Sequence, residues 1–303
     1  MKIVFMGTPD FAVASLDALV KAEFDIVAVI TAPDKPAGRG QKLNESAVKK
    51  YAVEKGIPVL QPEKLKNPEF LETLKSYEAD LQVVVAFRML PEVVWNMPPK
   101  GTINLHGSLL PQYRGAAPIN HAIINGEQES GVTTFFLTHE IDTGDIILSD
   151  STPIADDETA GELHDKLMII GANLLVKTVK AIEGGNFTEQ PQPQIDVLKH
   201  APKIFKEDCK IDWNNSAKQV HNLIRGLSPY PTAFTILNDK VLKIFKAEIE
   251  DKEPGIAAGG FLTDGKTFLK FATKDGFIKL LDIQYEGKKR MLIEDFLRGM
   301  RLT

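Results

Sequence analysis

With 303 residues, 43% of them apolar and 25% charged, the chain has the make-up of a globular protein with a sizeable core in one large or two ordinary domains. Its single cysteine, Cys209, excludes an intramolecular disulfide and a thiolate metal cluster, and no apolar run approaches the roughly 20 residues of a membrane helix. The net charge of −5 speaks against a surface that is basic throughout.

Residues 2–6 form a short apolar run that reads as a buried strand. The opening Met1-Lys2-Ile3-Val4-Phe5-Met6-Gly7 is interrupted too soon for a secretory signal, so the cytoplasm is the expected location. Pro9-Asp10 then opens a helix with Phe11, Leu16, Leu19 and Val20 on its inner side. Residues 26–30 and 83–86 are further buried strands, and 101–106 is another. The alternation of strand and helix predicts an α/β fold around a doubly wound, mostly parallel, Rossmann-like sheet, in which ligands sit beyond the carboxyl ends of the strands. Residues 132–137 and 145–148 predict two more strands with Asp142 on the loop between them. Thr159-Ala160-Gly161-Glu162 has the capping-box pattern, and Leu163, Leu167, Ile170 and Leu174 recur at helical spacing until Gly184-Gly185.

From Gln190 the texture changes. Pro191-Gln192-Pro193-Gln194 and Lys199-His200-Ala201-Pro202-Lys203 are polar and proline-rich, which predicts a linker over 190–206 between a domain of residues 1–189 and one of 207–303. A helix is expected over 216–225, followed by short strands with tight hairpins at Asp264-Gly265 and Asp275-Gly276. About 100 residues of that kind fit a small OB-like barrel, and by analogy a nucleic-acid-binding one. Charge points the same way. Residues 1–203 hold 19 Lys+Arg against 27 Asp+Glu, whereas 204–303 hold 17 against 14, so the tail is basic and suits a polyanionic partner.

The chemistry-bearing residues are Asn104 and His106, two apart on a predicted strand and so on one face, and Asp142, thirty-six residues beyond the histidine. An amide, an imidazole and a carboxylate are what a site needs to help an amine attack a carbonyl. The amide donates to the developing oxyanion, and the His–carboxylate pair manages the amine's proton. Rival motifs fail. Gly7-Thr8-Pro9 is not G-x-G-x-x-G, and its proline removes an N–H that a pyrophosphate would use. There is no P-loop and no H-E-x-x-H, and the other histidines lack ligand spacing, so no metal is expected. Residues 33–43, with Lys35, Arg39 and Lys42, make a glycine-rich, basic connection that is long for a strand-to-helix link.

The run Asn104-Leu105-His106-Gly107-Ser108-Leu109-Leu110-Pro111, continuing through Tyr113-Arg114-Gly115, with Asp142-Thr143-Gly144-Asp145 downstream, resembles the formyltransferases that use 10-formyltetrahydrofolate. Ile3-Val4-Phe5-Met6-Gly7-Thr8-Pro9, Ala32-Pro33-Asp34-Lys35-Pro36-Ala37-Gly38-Arg39-Gly40, Ile211-Asp212-Trp213 and Arg225-Gly226-Leu227-Ser228-Pro229-Tyr230-Pro231 narrow the resemblance to members acting on methionyl-tRNA. It implies transfer of a formyl group to the methionine of initiator Met-tRNA, with 10-formyltetrahydrofolate as co-substrate, no metal, and a monomeric enzyme. It further implies that Asn104, His106 and Asp142 are catalytic, and that Ser108, Leu109, Leu110 and Pro111 line the folate site. Arg39, with Lys42 and Lys35, is implied to hold the acceptor end of the tRNA. Two departures stand out: Gly107 where alanine is usual, and Arg88 in Ala86-Phe87-Arg88-Met89, where the family commonly shows Ala-Tyr-Gly. Two other readings remain at this point. One is a folate-dependent transferase acting on a small amine, such as an amino-sugar nucleotide or glycinamide ribonucleotide, and the other is a non-catalytic RNA-binding protein.

Overall fold

The computed structural model describes residues 1–37 and 42–299. The chain opens with β1 (Lys2–Gly7), α1 (Asp10–Lys21), β2 (Asp25–Ile30) and a short hairpin of β3 (Lys35–Ala37) and β4 (Lys42–Asn44). There follow α2 (Ala47–Glu54), β5 (Val59–Leu60), α3 (Pro68–Ser76), β6 (Leu81–Val85), α4 (Glu92–Trp95) and β7 (Thr102–His106). Next come β8 (Arg114–Gly115), α5 (Pro118–Ile124), β9 (Glu129–Phe136), β10 (Ile146–Pro153) and the long α6 (Ala160–Gly184). After β11 (His200–Ala201) and α7 (Ala217–Gly226), the tail holds β12 (Ala233–Leu237), β13 (Lys240–Glu250), β14 (Phe261–Thr263), β15 (Leu269–Ala272), β16 (Phe277–Tyr285), β17 (Met291–Leu292) and α8 (Ile293–Arg298).

Packing divides the chain into two compact units, the first made of Met1–Gly115, Gly131–Thr152 and His164–Lys199. Its sheet has the order β10-β9-β7-β6-β1-β2-β5. The five strands from β7 to β5 are parallel, and β9 runs antiparallel to β7. Chain succession runs outward from β1 in both directions, so the order reverses between β1 and β6. That is where such sheets open a ligand crevice. The apolar runs seen in the sequence are what a parallel sheet requires, because helices cover both faces. Ile3, Val4, Phe5 and Met6 of β1 are fully buried, and every residue of β6 is buried. Phe11, Leu16 and Leu19 of α1 are buried as well. Gly7 is demanded by packing, since a Cβ there would lie 2.5 Å from Ala12 Cβ and 2.9 Å from the Val85 carbonyl oxygen. The capping box holds at α6: Thr159 N–H donates to Glu162 Oε2 (2.8 Å) while Glu162 N–H donates to Thr159 Oγ1 (3.3 Å).

The second unit, Ala116–Ser130, Pro153–Leu163 and His200–Thr303, is built on a six-stranded antiparallel sheet. Its strand order is β12-β13-β16-β15-β14, with β17 on β16. Register shifts between β13 and β16 around Lys246 bend the sheet, which curls over a core containing Trp213, Phe271, Ile278 and Phe296. Trp213 stacks on Phe271 with centroids 4.6 Å apart. Ser216 and Gln219 cap α7 reciprocally. The hairpins differ from the expectation in one respect. Asp264-Gly265 and Asp275-Gly276 do lie in hairpin connections, but these run over residues 264–268 and 273–276 and are not two-residue turns. Asp264 Oδ1 accepts the N–H groups of Lys266, Thr267 and Phe268, which winds the longer loop. The two-residue turn is Asn238-Asp239, with φ of 49° and 59°, between β12 and β13.

Candidate active site

Strand β7 presents Asn104 and His106 on one side, as their spacing requires, and β7 lies next to β6 on the flank of the crevice. His106 is buried, with Nε2 2.9 Å from the Tyr113 carbonyl oxygen. A carbonyl only accepts, so Nε2 carries the hydrogen and the neutral ring turns a bare Nδ1 the other way. That Nδ1 lies 3.8 Å from Asp142 Oδ2. The gap is too long for a direct hydrogen bond but short enough for the carboxylate to stabilise a proton arriving on Nδ1. Asp142 Oδ2 also accepts the Gly115 N–H at 2.9 Å. Asn104 is half-buried, and its side-chain amide makes no hydrogen bond among the described residues. The structure thus sets the imidazole beside the carboxylate, with Asn104 two residues before the histidine on the same strand.

Two residues around His106 hold left-handed backbone conformations that L side chains seldom adopt: Tyr113 (φ 59°) and Asp142 (φ 55°). The Tyr113 N–H donates to the Lys199 carbonyl at 2.6 Å. Two residues past Asp142, a Cβ on Gly144 would lie 1.7 Å from the Phe136 carbonyl oxygen, so glycine is obligatory. The glycine of the Asp-Thr-Gly-Asp motif therefore lets the loop close on β9.

The Ser108-Leu109-Leu110-Pro111 turn follows β7 directly. Thr133 Oγ1, fully buried on β9, donates to the Ser108 carbonyl (2.7 Å) and accepts the Leu110 N–H (3.2 Å). Ser108 Oγ donates to the Gln112 carbonyl at 2.6 Å, so the hydroxyl is committed within the turn and does not face His106. Ser108, Leu110 and Pro111 are buried and Leu109 is half-buried. Beyond β6, Ala86 is left-handed (φ 48°), Phe87 is half-buried and Met89 is exposed. Arg88 folds back so that its guanidinium donates to the carbonyls of Pro62 and Glu63, which gives the departure from the usual Ala-Tyr-Gly a structural role.

The basic connection is a β-hairpin of β3 and β4. Lys35 is exposed on β3 and Lys42 lies on β4, while Arg39 falls outside the described residues. Its base is anchored by Asp34, which pairs with Lys49 and accepts from Gln61 Nε2 at 2.8 Å. Lys49 also meets Glu45 at 2.8 Å, and these partners hold the Asp34 carboxyl below its ordinary range. In the second unit, Lys270, Lys279 and Arg290 are ion-paired with Glu250, Glu248 and Asp282. Lys243, Lys246, Lys288 and Lys289 make no ion pair among the described residues. Lys270 and Lys279 stand opposite each other across β15 and β16. Among the described residues, no three His, Cys, Asp or Glu side chains converge as a metal site would need, and no helix is long and apolar enough to cross a membrane.

Sequence reasoning missed Gln192. Its Nε2 donates to the carbonyls of Asp142 (2.8 Å) and Gly144 (2.9 Å), and its Oε1 accepts from Arg114. The proline-rich texture that marks a linker conceals it. Residues 164–199 belong to the first unit, and Gln190 pairs with Ile146.

A sheet with its order reversed beside an Asn–His–Asp site, followed by an antiparallel domain, matches known proteins along the whole chain. The family described as formyl transferase matches residues 1–179, and its C-terminal domain matches 203–301. The chain belongs to the formyl transferase family. A methionyl-tRNA formyltransferase of Bacteroides fragilis is 55% identical over 311 residues, covering 100% of this chain and 96% of the relative. One from Flavobacterium johnsoniae is 52% identical over 307 residues, covering 100% and 97%. Among solved structures, WlaRD, a sugar 3N-formyl transferase in the presence of dTDP and 5-N-formyl-THF, superposes with a TM-score of 0.69 at 24% identity over 95% of this chain and 99% of that one. HypX from Aquifex aeolicus in complex with tetrahydrofolic acid gives 0.67 at 19% identity over 100% of this chain and 48% of that one. These two likenesses concern the fold.

Proposed function

We infer that this protein transfers the formyl group of 10-formyltetrahydrofolate to the α-amino group of the methionine on initiator Met-tRNA, giving formylmethionyl-tRNA for translation initiation. The observation that carries the choice of acceptor is the 55% identity to a methionyl-tRNA formyltransferase across the full chain, basic tail included. The site geometry supports the chemistry. The neutral amine attacks the formyl carbon, and Asn104 donates to the oxyanion that forms, a role typically worth ~10²–10³-fold. The amine's proton passes to His106 Nδ1, the nitrogen left bare by the bond between Nε2 and Tyr113. Asp142, 3.8 Å away, stabilises the imidazolium. Collapse of the tetrahedral species expels the folate nitrogen, which recovers the proton from His106. Such acid–base help is typically worth ~10²–10⁴-fold. No covalent enzyme intermediate is required, and Ser108 Oγ is engaged elsewhere.

The Ser108, Leu109, Leu110 and Pro111 turn is assigned to the folate site, where it offers a firm apolar wall. Arg39, Lys35 and Lys42 are assigned to the acceptor end of the tRNA, and the basic residues of 207–303 to its phosphates, with 1–189 as the catalytic part and 190–206 joining them. A cytoplasmic monomer suffices for this reaction, which light scattering on the purified protein checks. The functional test is single-turnover formyl transfer to charged initiator tRNA. Asn104→Ala, His106→Ala and Asp142→Ala are expected to lose at least ~10²-fold in rate while keeping the fold. A folded variant with wild-type chemistry removes that residue from the mechanism.

A further inference from the structure

The carboxylate at the site sits on a loop that must hold an unfavourable backbone conformation, and the structure shows what grips it. We propose that Gln192 is a positioning residue for Asp142, locked in turn by Arg114; the role rests on the formyl-transfer reading above. A glutamine amide has two donor hydrogens and an oxygen with two lone pairs. Here all four are used. The two hydrogens go to the carbonyls of Asp142 and Gly144, at 2.8 and 2.9 Å. The oxygen takes Arg114 Nε at 3.1 Å and Nη2 at 2.5 Å. Arginine has no acceptor, so the amide has only one orientation that works.

The contacts close a ring. Arg114 holds Gln192, Gln192 holds the Asp142 backbone, and Asp142 Oδ2 returns to the N–H of Gly115, the residue after Arg114. Gln192 is delivered to this place by backbone pairing two residues earlier, where Ile146 and Gln190 exchange N–H···O bonds of 2.8 and 2.9 Å. Further along the same segment, Lys199 accepts the Tyr113 N–H, and Tyr113 carries the carbonyl that orients His106. Residues 190–199 thus brace the carboxylate and the imidazole from outside the motifs that carry them. Among the described residues Gln192 makes no hydrogen bond to the turn over 108–111, so its loss should affect turnover and leave folate affinity alone.

Gln192→Glu is the decisive variant. It keeps the volume and the Arg114 contact, but sets an oxygen against two carbonyl oxygens. In the full-length protein, turnover with initiator Met-tRNA should fall about tenfold to a hundredfold, as expected for a small misplacement of a catalytic group. KM for the folate should stay within about twofold, and the apparent pKa of the base in the pH–rate profile should move as the carboxylate leaves the imidazolium. Made on an Asp142→Asn background, the same change should cost less than about twofold, because the group it positions is already disabled. Wild-type turnover in Gln192→Glu, or an equal loss in both backgrounds, overturns the proposal. So does a variant that unfolds outright, which would make Gln192 a scaffold residue; Gln192→Ala gives an independent check of that point. A wild-type protein that leaves Met-tRNA unformylated contradicts the functional reading, an outcome distinct from failure of the clamp.

Discussion

Replacing Thr133 by valine removes one hydroxyl and little volume, and it tests how the turn after β7 is held. Thr133 Oγ1 is fully buried and serves two backbone groups at once, donating to the Ser108 carbonyl and accepting the Leu110 N–H. Valine can do neither. A buried polar group left unpaired costs about 1–3 kcal/mol. Two such groups, offset by the extra apolar burial of a methyl at about 0.8 kcal/mol, give a net loss of about 1–5 kcal/mol. The turn belongs to the assigned folate site, so folate affinity should fall with stability. Thr133→Ser keeps the hydroxyl and both bonds, and should lose only about 1 kcal/mol for the missing methyl. Urea unfolding followed by Trp95, which lies in the first unit, together with folate titration, measures both effects. A valine variant as stable as the wild type, with unchanged folate affinity, would refute the reasoning. If serine were as damaging as valine, methyl packing would be responsible and not the hydroxyl.

Other expectations concern the tRNA and pH. Alanine at Lys243, Lys246, Lys288 or Lys289, the cations without ion pairs among the described residues, should weaken tRNA binding and lower its salt dependence by about one unit of slope per lost phosphate contact. Lys279→Ala serves as the comparison, because this lysine is paired with Glu248, and a filter-binding series in salt reads the difference. Arg39→Ala should slow transfer to Met-tRNA while leaving folate affinity intact, as steady-state kinetics with each substrate varied will show. Burial, reinforced by the nearby Arg225, lowers the pKa of His221 below 6.5, so the unfolded chain binds this proton first. Its contribution to stability is therefore full above about pH 6.5 and declines as pH falls through that value, by at most about 1.4 kcal/mol per pH unit. Calorimetry between pH 7.5 and 5.5 should find a flatter decline in His221→Asn, and an unchanged slope would exclude the histidine.

What the sequence reveals and what it hides follow one distinction. Features set by neighbouring residues are legible: the apolar runs of β1, β2, β6 and β7, the cap at Thr159, the helix that begins after Ser216, and the period-two spacing that puts Asn104 and His106 on one face. The Asn238-Asp239 turn is harder to see because no glycine marks its two positive φ angles. Asp264-Gly265 misleads in the opposite sense, since the aspartate collects three backbone N–H groups and lengthens the loop. Distance explains the rest. Gln192 meets Asp142, Gly144 and Arg114 across 48 to 78 residues of chain, and the tautomer of His106 depends on where a left-handed Tyr113 aims its carbonyl. The basic connection over 33–43 reads as a loop from its glycines, although Lys35–Ala37 and Lys42–Asn44 pair as a hairpin.

The central claim is that these residues pass a formyl group from folate to an aminoacyl-tRNA. Purified protein given labelled 10-formyltetrahydrofolate should therefore formylate charged initiator Met-tRNA rapidly, and leave an amino-sugar nucleotide and glycinamide ribonucleotide untouched. Rapid formylation of either small amine with Met-tRNA left unmodified would contradict the account, as would an absence of transfer to any of the three.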